Sequence, residues 1–141
     1  MEAIKWKYNK TKHLIIPLSI NGNKLLFILD TGASNTVIDF SIANKIGLNL
    51  KIHHNKGVGV GSSSMKVYKV GKTILNFQNS INLSSNNIIS MNLLHVIDGL
   101  ITKGAKRIDG VIGNDILRKY GGKIDYTQKT LQFCSFKKLK T

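Results

Sequence analysis

Short apolar runs separated by polar residues recur along most of this chain. The runs at residues 13–20 and 24–30 flank Asn21-Gly22-Asn23. An Asn-Gly pair between two apolar runs is a strong signal for a β-hairpin. Further apolar or alternating segments predict strands at residues 36–38, 65–70, 73–77, 87–97, 111–113, 123–126 and 130–136. The segment at 79–87 has no clear pattern.

Two short helices are expected between these strands. Ser41 is the expected N-cap of a helix through residues 42–46 that ends at Gly47. The second helix is expected at residues 114–120, where Gly121-Gly122 stops it. The pattern therefore predicts an all-β fold, mainly β with one or two short helices. We divide it into an N-terminal segment 1–13, one domain 14–136 and a basic tail 137–141.

Length and composition narrow the class of protein. A chain of 141 residues with 42% hydrophobic residues is long enough for one domain with a core. No apolar stretch reaches the length of a membrane span, and the first twelve residues do not resemble a signal peptide. The single cysteine, Cys134, excludes an internal disulfide and favours a reducing, cytoplasmic location. We interpret it as a passive thiol.

The net charge of +14 raises the possibility of nucleic-acid binding. Only Arg107 and Arg118 are arginines, although planar recognition of phosphate and guanine relies on arginine. The lysines are scattered, and no zinc-ligand spacing is present. Nucleic acid is therefore not an expected partner. His53 and His54 are interpreted as loop residues, so no metal is expected.

The most informative motif follows the apolar run that ends at Leu29. It reads Asp30-Thr31-Gly32-Ala33-Ser34 and places one of only seven acidic residues at the end of a predicted strand. Asp-Thr-Gly alone is compatible with a plain turn in which the aspartate bonds its own backbone. The alternative is an acid held rigidly where its proton takes part in chemistry.

Two further motifs bear on that choice. The first is a glycine-rich run that reads Gly57-Val58-Gly59-Val60-Gly61-Ser62. It lacks the ending of a phosphate-binding loop, so we expect a flexible hairpin tip, which is either a loose turn or a mobile lid that closes over a ligand. The other motif is a predicted strand–helix junction, Val111-Ile112-Gly113-Asn114-Asp115-Ile116-Leu117. There Gly113 would allow two segments to pass closely, and Ile116 and Leu117 would face the core. Asp109 is interpreted as a turn residue.

Together, in this order and spacing, the three motifs resemble those of retropepsin-like (retroviral-type) aspartic proteases over about residues 14–136. The resemblance implies a single-domain acid protease fold closed by homodimerisation. It implies that Asp30 and its copy in a second chain hydrolyse peptide bonds with an activated water and no cofactor. The implied partners are a peptide or protein substrate and a second copy of the chain, without a membrane.

The resemblance also implies supporting roles. Thr31 would brace the two active loops, the Gly32 N–H would bond the carboxylate, and residues 57–61 would form a flap. The serine-rich flap lacks an aromatic tip, which departs from the family pattern. A non-catalytic dimerisation or peptide-binding module and, further behind, a basic nucleic-acid-binding domain are the alternatives.

Overall fold

The computed structural model describes residues 2–53 and 66–134. These residues form a mainly β structure with three short helices, which we number in chain order. The helices are α1 (Phe40–Lys45), α2 (Leu94–Thr102) and α3 (Asn114–Lys119). The strands are β1 (Ile4–Lys5), β2 (Lys7–Tyr8), β3 (Leu14–Ile20), β4 (Asn23–Leu29), β5 (Val37–Asp39), β6 (Leu50–Ile52), β7 (Tyr68–Val70), β8 (Thr73–Phe77), β9 (Ile81–Ser85), β10 (Ile89–Met91), β11 (Gly110–Ile112), β12 (Gly122–Asp125) and β13 (Thr130–Phe133).

The strands form two sheets. The larger has the order β6-β7-β10-β5-β11-β4-β3-β8-β9, and β2 also pairs with β3. The smaller has the order β1-β13-β12. Strand β11 lies between β4, to which it is parallel, and β5, to which it is antiparallel. This placement brings the ends of β4 and β11, far apart in sequence, to the same edge.

The predicted hairpin at the start of the domain is confirmed. Strands β3 and β4 pair antiparallel, and Ile20 lies opposite Asn23. Asn21 and Gly22 both have positive φ, 51° and 79°. A two-residue turn of this kind needs a left-handed conformation at both positions, which explains the Asn-Gly pair.

Alternating residues place the central strands between two apolar clusters. Phe27 and Leu29 of β4 belong to the main core, together with Ile16 and Ile112. Ile28 points to the opposite face and joins a second cluster under α2. The second cluster comprises Ile28, Leu93, Ile97, Leu100, Ala105 and Ile108.

The mainly β prediction is confirmed, but the helices differ from it in two ways. Residues 94–102 form α2, although a strand was predicted up to residue 97. Buried Leu93, Ile97 and Leu100 follow the helical period, and burial of this face outweighs the low helix propensity of the β-branched residues and Gly99. Ser41 is not a cap, because α1 starts at Phe40 with Asp39 before it.

The N-terminal residues take part in both sheets. Ile4 pairs with Leu131, and Lys7 with Ile15. The buried Trp6 donates from its indole nitrogen to the Thr130 carbonyl at 3.0 Å.

No helix among the described residues is long and apolar enough to cross a membrane.

Candidate active site

Asp30 is the first residue after β4, at the edge where β4 and β11 both end. Its backbone N–H donates to the Ile112 carbonyl at 2.9 Å. This bond extends the parallel pairing in which Ile112 lies opposite Leu29. The Asp30 residue itself is exposed in the single chain. A rigid strand therefore presents an uncovered carboxyl group.

The turn after Asp30 fixes the carboxyl group. The Gly32 N–H donates to Asp30 Oδ1 at 2.9 Å, and the Ala33 N–H donates to the Asp30 carbonyl at 3.2 Å. A Cβ atom on Gly32 would lie 3.3 Å from Oδ1, which is tighter than ordinary packing. The bond from Gly32 is the one expected from the resemblance, but a plain turn predicts it too. It fixes the position of the carboxyl group and does not by itself assign a role.

The two hydroxyl residues of this motif, Thr31 and Ser34, are exposed. Neither has a side-chain hydrogen bond to any of the residues that the structure describes. Ala33 is half-buried, and its carbonyl accepts from the Asn114 N–H at 2.7 Å. The Asp30 turn is thus bonded to the start of α3, and both of its hydroxyl groups remain available for hydrogen bonds to another molecule.

Residues 111–117 lie directly against the Asp30 turn, as a strand followed by a helix. Gly113 is buried, and a Cβ there would lie 2.6 Å from the Asn35 carbonyl oxygen and 2.8 Å from that of Ala33. No real Cβ makes such contacts, so the close approach requires glycine. Ile116 and Leu117 are buried in the main core, as predicted.

Thr36 joins the two motifs and was missed as a site residue in the sequence. Its side chain is fully buried, and its hydroxyl accepts from the Gly113 N–H at 3.0 Å and donates to Asp115 Oδ1 at 2.8 Å. Asp115 Oδ2 is buried without a hydrogen-bond partner among the described residues. A threonine in a β-rich segment gives no local signal of this role, because its two partners are 77 and 79 positions away.

Asp109 is not the turn residue that the sequence suggested. Its N–H donates to the Leu26 carbonyl at 2.8 Å, its Oδ2 accepts from the Leu26 N–H at 2.9 Å, and its carbonyl accepts from the Asp39 N–H. It therefore bridges β4 and β5 just before β11. Burial raises the pKa of the Asp109 carboxyl and Asp39 adds to the rise, while the Leu26 N–H and Arg107 oppose it.

Asp109 also lies far from the site. It faces Leu26 across the parallel pair, four residues before Asp30, which corresponds to about 13 Å along a strand. The structure therefore does not bring Asp109 to Asp30 as a second acid.

Asp39 is a buried carboxylate that sequence reasoning missed. It is 1% exposed, and its Oδ1 accepts from the Leu93 N–H at 3.0 Å. Its Oδ2 pairs with Arg107 at 3.1 Å. These contacts attach β5 to the chain on either side of α2, so the Asp39 carboxylate stabilises the fold.

The predicted flap residues 57–62 lie outside the described residues, as does the basic tail. The strands on either side are described: β6 and β7 pair antiparallel, with Ile52 opposite Tyr68. Residues 54–65 therefore join two antiparallel partners. Among the residues that the structure describes, no group of three or more His, Cys, Asp or Glu side chains could hold a metal ion.

Comparison with known proteins identifies the protein family to which this chain belongs. The family model for aspartyl proteases matches residues 16–116, so the chain belongs to that family. A search of curated proteins finds no match. The fold is retropepsin-like, as predicted.

Three solved structures illustrate this fold. The retroviral protease-like domain of Ddi1 from Leishmania major is 20% identical, with a TM-score of 0.60, over 88% of this chain and 90% of that one. The EIAV protease, complexed with the inhibitor HBY-793, is 18% identical, with a TM-score of 0.57, over 84% and 98%. A retropepsin-like aspartic protease from Rickettsia conorii is 22% identical, with a TM-score of 0.54, over 92% and 86%.

Proposed function

We propose that this chain is an aspartic endopeptidase that works as a homodimer. The observation that carries the proposal is the Asp30 carboxyl group, exposed at the end of β4 and bonded by the Gly32 N–H in a chain of the aspartyl protease family. The chain contains one Asp-Thr-Gly, so the second carboxylate comes from Asp30 of a second copy. Neither metal nor organic cofactor is required.

The proposed reaction uses one proton shared by the two Asp30 side chains. The ionised carboxylate takes a proton from a water molecule, whose oxygen attacks the scissile carbonyl carbon. The protonated carboxyl donates its proton to the carbonyl oxygen. The tetrahedral species then collapses, the C–N bond breaks, and the leaving nitrogen receives a proton from the dyad. The exposed Thr31 would brace the two loops across the dimer.

A further part of the proposal is that residues 57–62 form a flap over the bound peptide. Its support is the antiparallel pairing of β6 and β7 on either side and the glycine spacing. Hydrogen exchange over residues 57–64 should slow when a peptidomimetic inhibitor is added. Protection elsewhere with no change there would contradict the flap.

We also propose a cytoplasmic location. The free, exposed Cys134 is consistent with a reducing compartment.

The decisive experiment is cleavage of a diverse peptide pool, with and without a transition-state-mimicking inhibitor. The wild-type chain should cleave and the inhibitor should stop it, whereas Asp30→Asn should be inactive. Asp98→Asn is the matched control, because Asp98 is an exposed aspartate on α2. If Asp30→Asn cleaves at the wild-type rate, or the wild type does not cleave at all, the proposal is wrong.

The dimer is tested by dilution. Specific activity should fall below the dimer dissociation constant, because a single chain supplies half of the dyad. Full activity of a chain that sediments as a monomer under assay conditions would exclude the shared dyad.

A further inference from the structure

A groove of about 570 Å³ lies on the outer face of the β3–β4 hairpin, beside the chain that follows α2. Its apolar lining is Ile15, Pro17, Leu26, Ala105 and Ile108. The neighbouring residues Ile16 and Phe27 point the other way, into the main core. The second cluster, under α2, covers Ile28 on this same outer face but leaves Pro17 exposed. The volume is in the range of about 300–1,000 Å³ typical of ligand pockets.

Cationic side chains surround this apolar lining. The groove also contains the exposed residues Lys5, Lys7, Lys10, Lys106 and Arg107. All seven acidic residues of the chain are among those that the structure describes, and the one ion pair within 4.0 Å there joins Arg107 to Asp39. The four lysines therefore have no carboxylate partner in the described chain.

One polar group in the groove wall lacks a partner. Asn9 Oδ1 accepts from the Thr11 N–H, the Thr11 hydroxyl and the His13 N–H, which fixes the orientation of the amide. Its Nδ2 is buried without a hydrogen-bond partner among the described residues. An unpaired buried donor is costly. The nitrogen is closed to solvent in the free chain, so a carboxylate beside Asn9 would accept from it only after the amide shifts towards the groove.

We propose that this groove binds an acidic segment of another protein through an apolar anchor side chain. The apolar lining would hold the anchor, and the lysines would pair with carboxylates on either side of it. Opposite charges would speed association and select the partner, while burial of the anchor would supply much of the affinity. The groove is distinct from the proposed catalytic site, because none of residues 30–34 lines it.

Other anionic occupants fit the groove less well. Single-stranded nucleic acid binds where aromatic faces stack on bases along a basic track. Tyr8 is the aromatic residue of this groove, and its ring already carries Lys129 Nζ at 5.4 Å from the ring centre. A lipid surface is bound by apolar side chains that project outwards. Here the apolar side chains line a concavity.

The test measures binding to the Asp30→Asn chain, so that no peptide is cleaved. The probe is a fluorescent peptide with a Leu-Phe centre flanked by Glu and Asp. The first control peptide replaces the centre with Gly-Ser, and the second keeps Leu-Phe between lysines. We expect anisotropy to report saturable binding of the probe that weakens with salt, and little binding of either control. Absence of probe binding, or equal binding of the Gly-Ser peptide, would overturn the proposal.

Charge-reversal variants locate the site. In the same chain, the pair Lys7→Glu and Lys106→Glu should weaken binding of the probe by about tenfold or more. The pair Lys51→Glu and Lys72→Glu changes net charge equally at exposed positions outside the groove and should change binding by less than about twofold.

Equal weakening by both pairs would show that only net charge matters and would overturn the groove. Homopolymer RNA, a long-chain carboxylate and anionic vesicles are tested as competitors. If one of them displaces the probe and binds more tightly than the probe does, the groove belongs to that ligand class and the proposal is overturned. Since the probe is read by binding alone, failure here leaves the cleavage experiments on Asp30 unaffected.

Discussion

Asp30 and Asp39 lie at the ends of β4 and β5, on either side of β11, yet their surroundings are opposite. Asp39 is almost fully buried and is bonded by the Leu93 N–H and by Arg107. Asp30 is exposed, with one side-chain bond from the Gly32 N–H. A carboxylate that holds structure is enclosed by its partners, whereas a carboxylate for chemistry has to remain open to water and substrate. The same residue type thus has a stabilising position in one place and an open position in the other.

The largest effect on stability is expected when the enclosed carboxylate is removed. Asp39→Ala leaves the buried Leu93 N–H unpaired and releases Arg107, so we expect a loss of about 2–4 kcal/mol in the free energy of unfolding. Asp30→Ala removes an exposed group and should cost less than about 0.5 kcal/mol. Urea unfolding of both variants measures the difference. Similar losses in the two would break the comparison.

The close approach at Gly113 should have the next largest effect. Gly113→Ala places a methyl group against the backbone of Asn35 and Ala33, and we expect a loss of about 2–3 kcal/mol and a displaced Asp30 turn. Gly99→Ala on α2 is the matched control, since a Cβ there meets nothing within 4 Å. The control should be neutral or stabilising. Thermal unfolding and the Asp30 backbone resonances report on both, and a tolerated Gly113→Ala would contradict the packing.

The Thr36 hydroxyl is expected to contribute about 1–3 kcal/mol. Thr36→Val keeps the shape but leaves the Gly113 N–H and Asp115 Oδ1 without their bonds. Thr36→Ser keeps the hydroxyl and loses a methyl group. If the hydrogen bonds matter more than packing, the serine variant is the more stable of the two in chemical denaturation. The reverse order would assign the effect to the methyl group.

The smallest effect concerns pH. Burial raises the pKa of Asp109, so the folded chain holds this proton more tightly than the unfolded chain does. The stability that this gives is present below about pH 4 and is lost as pH rises through the folded pKa. Asp109→Asn stays neutral and can still accept from the Leu26 N–H.

The stability of Asp109→Asn relative to wild type should therefore increase between about pH 4 and pH 7, by less than about 1 kcal/mol. Urea midpoints at the two pH values measure this, with Asp98→Asn as the exposed control. A difference that does not change with pH would contradict the burial argument.

Local chemistry explains which features could be predicted from sequence. The hairpin at Asn21-Gly22 and the strand into Asp30 depend on neighbouring residues, so both were predictable. Helix α2 was missed because β-branched residues and Gly99 hide a helical period that matters only once the helix packs on Ile28. The Asp39–Arg107 pair spans 68 positions, so no local pattern marks it.

The pairing of β1 with β13 also has a consequence for the order of folding. The Trp6 indole and the Thr130 carbonyl that it bonds are 124 positions apart, so this contact closes a loop of nearly the whole chain. Closing such a loop has a high entropic cost before most other contacts exist, whereas the β3–β4 hairpin closes over two residues. We therefore expect β1 to dock late, after the larger sheet has formed. Mutations at Trp6 should accelerate unfolding while leaving the folding rate nearly unchanged.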